Sequence, residues 1–159
     1  MRKTLRDEGG RANRKSAVAP IEETIGYLLR QACKAYRVKF RTALSESRLH
    51  VGQDLIMIEL WKEDGLSQRE LVDKLLLEPS TLTRMLARME KAGFVKRRPD
   101  ERDARVFRVY LTEQGRSISG PVDRSWATLE EKALEGLTEE DKLVLRRVLP
   151  RINANLLSS

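Results

Sequence analysis

Residues 67–112 combine two helix starts, a helix stop and a charged hairpin, and this order constrains the fold more than any other feature. The segment SQRE at 67–70 is an S-x-x-E capping box, which satisfies free amides at a helix start. Pro79 suits the first turn of a second helix because no amide partner is needed there, and Gly93 is the expected stop. Two runs of strand character then flank the charged turn PDERDA, namely Phe94–Arg98 and Arg105–Leu111.

Helices are predicted on both sides of this segment. Apolar residues spaced by three and four predict a long helix from Pro20 to Ala43, and residues 52–64 have the pattern of a short buried helix. Thr112 begins a helix that runs to about Glu135, and Thr138 caps a last one. We expect Pro121 and Pro150 to kink these two helices. The fold class is mainly α with a small β-hairpin wing, which is a winged helix-turn-helix framed by terminal helices.

Positive charge is concentrated in two parts of this 159-residue chain, whose length suits one domain and whose formal net charge is +7. Residues 79–108 hold nine Lys or Arg against four acids, and residues 1–15 hold six against two. A concentrated positive region beside a near-neutral body indicates a polyanionic partner. Residues 1–18, rich in Arg, Lys and Gly, are predicted to form a flexible basic arm.

The helix that starts at Pro79 has two faces. On a helical wheel, Leu82, Leu86 and Met89 form an apolar arc that can dock on the preceding helices. The opposite arc is polar and basic, and an α-helix of this kind fits the DNA major groove. Free amides at its N-terminus also favour a phosphate. The predicted DNA contacts on this helix are Ser80, Thr81, Thr83, Arg84 and Arg88.

The hairpin tip mixes acids with arginines. Asp100 and Asp103 are expected to pair with neighbouring arginines and hold the tip in shape. Arg102 and Arg105 are candidates for entry into a minor groove, which attracts Arg where it is narrow, and the sequence does not say which of them enters. The alternative is a hairpin whose charges only keep it soluble.

The stretch from Leu66 to Gly115 closely resembles the MarR family of bacterial transcription regulators. Its motifs are S-T-L-T-R, L-x-x-M-E-K-x-G-F-V, D-x-R-D-x-R and L-T-x-x-G, in that order. The resemblance implies a homodimer formed by residues 19–48 and 113–159, with residues 49–112 binding double-stranded DNA. It also implies a repressor that binds a pseudo-palindromic operator and is released by a small aromatic or phenolic ligand.

Three residues on or near the first helix are candidates for sensing. Some family members anchor a ligand carboxylate with a first-helix arginine, so the resemblance gives Arg37 as a ligand-binding candidate. Solvent exposure or a salt bridge to the partner subunit is the alternative for Arg37. Cys33 is expected to be an inert helix cysteine, and His50, the only histidine, makes a poor zinc site with a single cysteine.

Several classes of function are disfavoured. The sequence has no Gly-rich phosphate loop, metal-ligand cluster or nucleophile–base pair, so we expect no enzyme activity, no metal and no cofactor. A single cysteine, no signal-peptide pattern and no 18-residue apolar run predict a cytoplasmic protein without a membrane partner. The alternatives that stay open are a non-specific or architectural DNA-binding protein and a winged-helix protein-interaction module.

Overall fold

The computed structural model describes residues 20–158, so the predicted basic arm at 1–18 lies outside the described residues. Contacts divide the chain into two units between Lys34 and Ala35, within the first helix. The helices are α1 (Ile25–Ala43), α2 (Gln53–Lys62), α3 (Gln68–Leu75), α4 (Pro79–Lys91), α5 (Glu113–Ser117), α6 (Ser119–Ala133) and α7 (Glu139–Leu157). The strands are β1 (Leu66–Ser67), β2 (Val95–Pro99) and β3 (Phe107–Leu111).

The first unit contains the start of α1. A 3₁₀ turn at Ile21–Glu23 precedes the helix, and the Thr24 hydroxyl accepts a hydrogen bond of 3.2 Å from the amide of Tyr27. Thr24 therefore acts as the cap, because its oxygen satisfies an amide that the first turn leaves free. The apolar pattern predicts that this helix begins at Pro20, but in the structure it begins at Ile25.

The core of the second unit lies among α2, α3, α4 and the sheet. Leu71, Leu82, Leu86 and Met89 are all fully buried in it. The predicted capping box of α3 is confirmed, since the Ser67 hydroxyl accepts from the Glu70 amide and the Glu70 carboxylate accepts from the Ser67 amide. Helix α4 is therefore held by its apolar arc, which leaves its polar arc outside.

The wing is part of a three-stranded antiparallel sheet in the order β1-β3-β2. Leu66 of β1 pairs with Val109, and Val95 of β2 pairs with Leu111. Strand β1 is too short to give a sequence pattern, and the sequence does not predict it. Strand β3 begins at Phe107 instead of Arg105, because the Arg105 amide donates to the Asp103 carboxylate within the turn.

Two helices follow the wing where the sequence predicts a single one. Thr112 caps α5 as predicted, through a 3.0 Å hydrogen bond from the Gly115 amide, but the helix ends at Ser117 and α6 starts at Ser119. Pro121 is the third residue of α6, where a missing amide costs no helical hydrogen bond. The predicted helix is therefore interrupted at Ile118, and Pro121 follows this break by three residues, since its nitrogen cannot donate to the Ser117 carbonyl as a continuous helix would require.

Helix α7 contributes no buried residue to the core, unlike α2, α3 and α4. Thr138 caps it through a capping box with Asp141, as the sequence predicts for its start, and the helix continues through Pro150 to Leu157. None of its residues is buried. In residues 20–158, no helix has the length and apolar character needed to cross a membrane.

Candidate nucleic-acid interface

Helix α4 presents an exposed polar face beside a completely buried one. Leu82, Leu86 and Met89 have no solvent exposure, whereas Ser80, Thr83, Arg84 and Arg88 are exposed. Pro79 occupies the first position and Glu78 precedes it in extended conformation, so the helix starts sharply at the surface. The four exposed side chains are therefore fixed on a helix whose other face is anchored in the core.

The hydroxyl and guanidinium groups of this face differ in the hydrogen bonds that they make within the protein. The Thr83 hydroxyl donates to the Pro79 carbonyl at 2.9 Å, so its proton is used within the helix. The Arg84 Nη2 atom lies 3.4 Å from the Thr81 hydroxyl oxygen, which is a long hydrogen bond. Thr81 is half-buried. Arg88 makes no hydrogen bond or ion pair with the residues that the structure describes.

The end of α4 leads directly into the wing. Gly93 has φ +81°, its amide bonds the Glu90 carbonyl, and the Phe94 amide bonds the Met89 carbonyl, which together form a Schellman motif. The Glu90 carboxylate then accepts hydrogen bonds from the Arg97 amide and guanidinium, and these hold the pKa of Glu90 below its usual range. Helix α4 and strand β2 are thereby locked together.

The wing tip is shaped by its two aspartates. One oxygen of Asp100 accepts the amides of Arg102 at 2.8 Å and Asp103 at 3.1 Å. Asp103 accepts two hydrogen bonds of 3.0 Å from the Arg105 guanidinium, and these lower the pKa of Asp103. The exposed Arg102 side chain has no such partner among the residues described.

Arg108 is a wing residue that the sequence does not single out. Its Nε donates to the second oxygen of Asp100, and its Nη1 donates to the Gly65 carbonyl at 2.9 Å. The same Nη1 lies 3.6 Å from the Glu70 carboxylate. In the sequence, Arg108 looks like the other basic residues of the hairpin. Its different role follows from the register of β3, which places it opposite Ser67 of β1 and Arg98 of β2.

A cavity of about 470 Å³ lies beneath α4. Its walls are mostly apolar and aromatic, and Arg37 and Asp54 are its charged residues. Burial raises the pKa of the Asp54 carboxyl, against hydrogen bonds from backbone amides that include the 2.7 Å bond from Gly52. The lining residues are Tyr36, Arg37, Phe40, Val51, Gly52, Asp54, Leu55, Leu77, Thr81, Met85 and Trp126.

The aromatic wall of this cavity contains an unsatisfied donor. The rings of Tyr36, Phe40 and Trp126 pack with centroid separations of 4.7–6.1 Å. The Trp126 indole N–H is buried and has no hydrogen-bond partner within the described chain. Buried donors are normally paired, so this N–H is an exception among the buried polar groups of the described chain.

The described residues contain no group of three or more His, Cys, Asp or Glu side chains that could hold a metal ion. Cys33 and His50 are both exposed. The His50 amide donates to the Gln53 side chain at 2.9 Å, which places His50 in the turn before α2.

Known proteins with similar sequences are transcriptional regulators. Residues 49–107 match the model of the MarR family. The HTH-type transcriptional regulator TtmR of Methylorubrum extorquens is 32% identical over 122 residues, which are 77% of this chain and 60% of TtmR. The uncharacterized HTH-type transcriptional regulator YdgJ of Bacillus subtilis is 31% identical over 137 residues, covering 85% of this chain and 80% of YdgJ.

Solved structures show the same fold. The PcaV transcriptional regulator from Streptomyces coelicolor, crystallised with its natural ligand, superposes with a TM-score of 0.78 at 22% identity. The superposition covers 87% of this chain and 97% of that structure. The family and fold predicted from the motifs are confirmed, and the relatives are regulators rather than enzymes. The chain belongs to the MarR family of DNA-binding, winged-helix transcriptional regulators.

Proposed function

We propose that the protein is a homodimeric repressor that binds a pseudo-palindromic operator and releases it when a small aromatic ligand binds. The observation that carries the proposal is helix α4, which is anchored by three fully buried side chains and exposes Arg84 and Arg88 on its other face. A rigid helix with outward arginines suits base readout in a major groove.

The residues of the exposed face take different roles in this proposal. Arg88 is free to offer bidentate hydrogen bonds to guanine, and Arg84 can do so by giving up its long hydrogen bond to the Thr81 hydroxyl. Ser80 lies at the helix N-terminus, where free amides favour a phosphate. Thr83 contributes through its oxygen lone pairs, because its proton is bonded to the Pro79 carbonyl. Thr81 is shared between this face and the cavity beneath it.

At the wing, we assign minor-groove entry to Arg102. The Arg105 guanidinium is held by Asp103, whereas the Arg102 side chain is exposed and only its amide is tied to Asp100. A free guanidinium at the tip can follow the negative potential of a narrow minor groove. Asp100 and Asp103 shape the tip in this proposal and do not touch DNA.

Helix α7 supports the homodimer. Leu145, Leu149 and Leu156 are spaced so that they share one face, and their exposed fractions are 36%, 44% and 71%. A 19-residue helix with this face and no buried residue is stable when a second apolar surface covers it. A second copy supplies that surface and places two α4 helices on two half-sites.

The cavity beneath α4 supports the ligand response. It joins Arg37 of α1 to Thr81 and Met85 of α4, so an occupant touches the DNA-reading helix directly. An arginine among aromatic walls suits an aromatic carboxylate. The PcaV structure contains the natural ligand of that protein, so a protein of this fold binds a ligand. Binding acts by favouring a spacing of the α4 helices that misfits DNA.

Selection of bound duplexes from a random DNA pool tests this function. We expect enrichment of an inverted repeat whose half-site centres lie about 10 base pairs apart, or a multiple of that spacing. Recovery of no enriched sequence, with tight binding of the whole pool, would instead indicate an architectural DNA-binding protein. Absence of DNA binding would favour a protein-interaction module.

A further inference from the structure

We propose that Arg108 is a positioning residue that holds the wing tip at a fixed distance from the start of helix α3, and so from the helix-turn-helix that α3 and α4 form. Arg108 contacts no DNA in this proposal, and its effect reaches DNA through Arg102. The inference rests on the proposed function, because it requires the wing to bind DNA.

Three hydrogen bonds and one ion pair connect Arg102 to helix α3. The Arg102 amide donates to one oxygen of Asp100, and Arg108 Nε donates to the other oxygen of the same carboxylate. Arg108 Nη1 then donates to the Gly65 carbonyl at 2.9 Å and lies 3.6 Å from Glu70. The wing turn and the start of α3 are therefore joined through one guanidinium.

The far end of this set of bonds is rigid. The Glu70 carboxylate oxygen nearest Arg108 also accepts the Ser67 amide at 2.7 Å, as part of the α3 capping box. Gly65 has φ +81°, its amide donates to the Val109 carbonyl at 3.0 Å, and the Tyr110 ring lies close beside it, so this backbone is restrained by contacts with β3. Arg108 thus attaches the wing to a fixed point beside the helix-turn-helix.

The other arginines of the sheet do not have this arrangement. Arg98 lies directly opposite Arg108 in the β2–β3 register, is exposed, and has no ion pair among the described residues. Arg97 bonds Glu90 on α4 and does not reach the wing tip. The hydrogen bond from Arg108 is the largest cause that lowers the pKa of Asp100, to about 2.

A planar guanidinium is needed at this position. The Nε of Arg108 donates to Asp100, and its Nη1 contacts Gly65 and Glu70, so one group binds the wing turn and the start of α3 together. A lysine ammonium is a single point on a flexible stem and cannot reproduce this fork. The geometry of the group, and not only its charge, therefore sets the position of the wing.

A double-mutant cycle on operator affinity tests the proposal. Arg108→Leu should weaken operator binding about tenfold, the size expected for losing one base or groove contact. The loss should disappear when Arg102 is already alanine, because Arg108 acts only through Arg102. Arg98→Leu is the matched control, which removes the same charge directly across the sheet. Its loss should be smaller and should add to that of Arg102→Ala.

Asp100→Asn provides a second variant in case Arg108→Leu unfolds. The asparagine oxygen keeps the bonds to the turn amides, while its amino group opposes Arg108, so only the connection is broken. Unfolding temperatures of all variants should be measured alongside. The proposal is overturned if neither variant weakens binding, if the losses persist undiminished without Arg102, or if Arg102→Ala binds like the wild type. If Arg84→Ala and Arg102→Ala both bind like the wild type, the proposed function itself fails.

Discussion

At the scale of single residues, the charged side chains of this protein divide into two groups. Glu90, Arg97, Asp100 and Arg108 satisfy one another and hold α4 and the wing in place. Arg84, Arg88 and Arg102 are exposed, and no carboxylate within the described residues pairs with them. A basic surface thus remains available for a partner after the internal pairing is complete.

Arg84→Ala should lose roughly 1–3 kcal/mol of binding free energy on the operator and relax the preference at the base it reads. The reason is that a bidentate contact to one base is removed while the fold stays intact. Equilibrium titration of operators changed at single positions measures both effects, with Arg124→Ala on α6 as a control for lost charge. A uniform weakening on all sequences would make Arg84 a phosphate contact instead.

Arg37→Ala should abolish the release of DNA by an aromatic acid without weakening DNA binding. Arg37 lines the cavity and supplies its positive charge, whereas Arg41, one turn later on α1, does not line it. Arg41→Ala is therefore the matched control. Benzoate and hydroxybenzoates titrated into the operator complex give the measurement, and unchanged release in Arg37→Ala would remove Arg37 from the ligand site.

Asp54→Asn should stabilise the protein more at pH 7 than at pH 3. Burial raises the pKa of Asp54 above its ordinary value of 3.8, so the unfolded chain releases this proton first as pH rises. Stability is therefore lost between pH 3.8 and the folded-state pKa, and asparagine avoids that loss while keeping the oxygen that accepts the Gly52 amide. Chemical unfolding at both pH values measures the difference, and an equal effect at both would contradict it.

At the scale of elements, tight backbone contacts set where α4, the wing and α5 meet. A Cβ on Gly115 would lie 2.1 Å from the Phe94 carbonyl oxygen, so α5 can approach the end of α4 only because this residue is glycine. The Trp61 indole N–H donates to the Gly115 carbonyl at 3.0 Å and joins α2 to the same point. The L-T-x-x-G motif therefore has a packing role.

Gly115→Ala should reduce the free energy of unfolding by about 1–3 kcal/mol, because the added methyl overlaps a backbone oxygen that cannot move alone. Gly120→Ala is the matched control in α6, where the nearest atom is the end of the flexible Arg124 side chain at 3.5 Å. Its effect should stay within about 0.5 kcal/mol. Thermal and urea unfolding of the two variants would contradict the packing role if they were equally stable.

Most elements follow from local sequence signals. Ser67, Thr112 and Thr138 cap their helices and Gly93 ends α4, because each acts on backbone atoms within a few residues. The features that local sequence signals do not predict depend on contacts between residues far apart in the sequence. Strand β1 exists only by pairing with β3, and the bonds of Arg108 join residues 8 and 43 positions away.

At the scale of the whole molecule, the proposed homodimer depends on the exposed apolar face of α7. Leu149→Asp should convert a dimer into monomers, since it places a charge in the surface that a second copy covers. Arg147→Asp is the control, because Arg147 lies on the opposite face from Leu145 and Leu149. Sedimentation velocity measures the mass of each variant. Dimers that persist in Leu149→Asp would show that this face is not the interface.

Recognition of one DNA sequence by the intact protein is the central claim. The most direct test is a titration of the full-length protein with its selected inverted repeat and with a scrambled duplex, at two salt concentrations. We predict binding at least ~10³-fold tighter to the repeat, with both affinities falling as salt rises. Equal affinities for the two duplexes at both salt concentrations would contradict the claim.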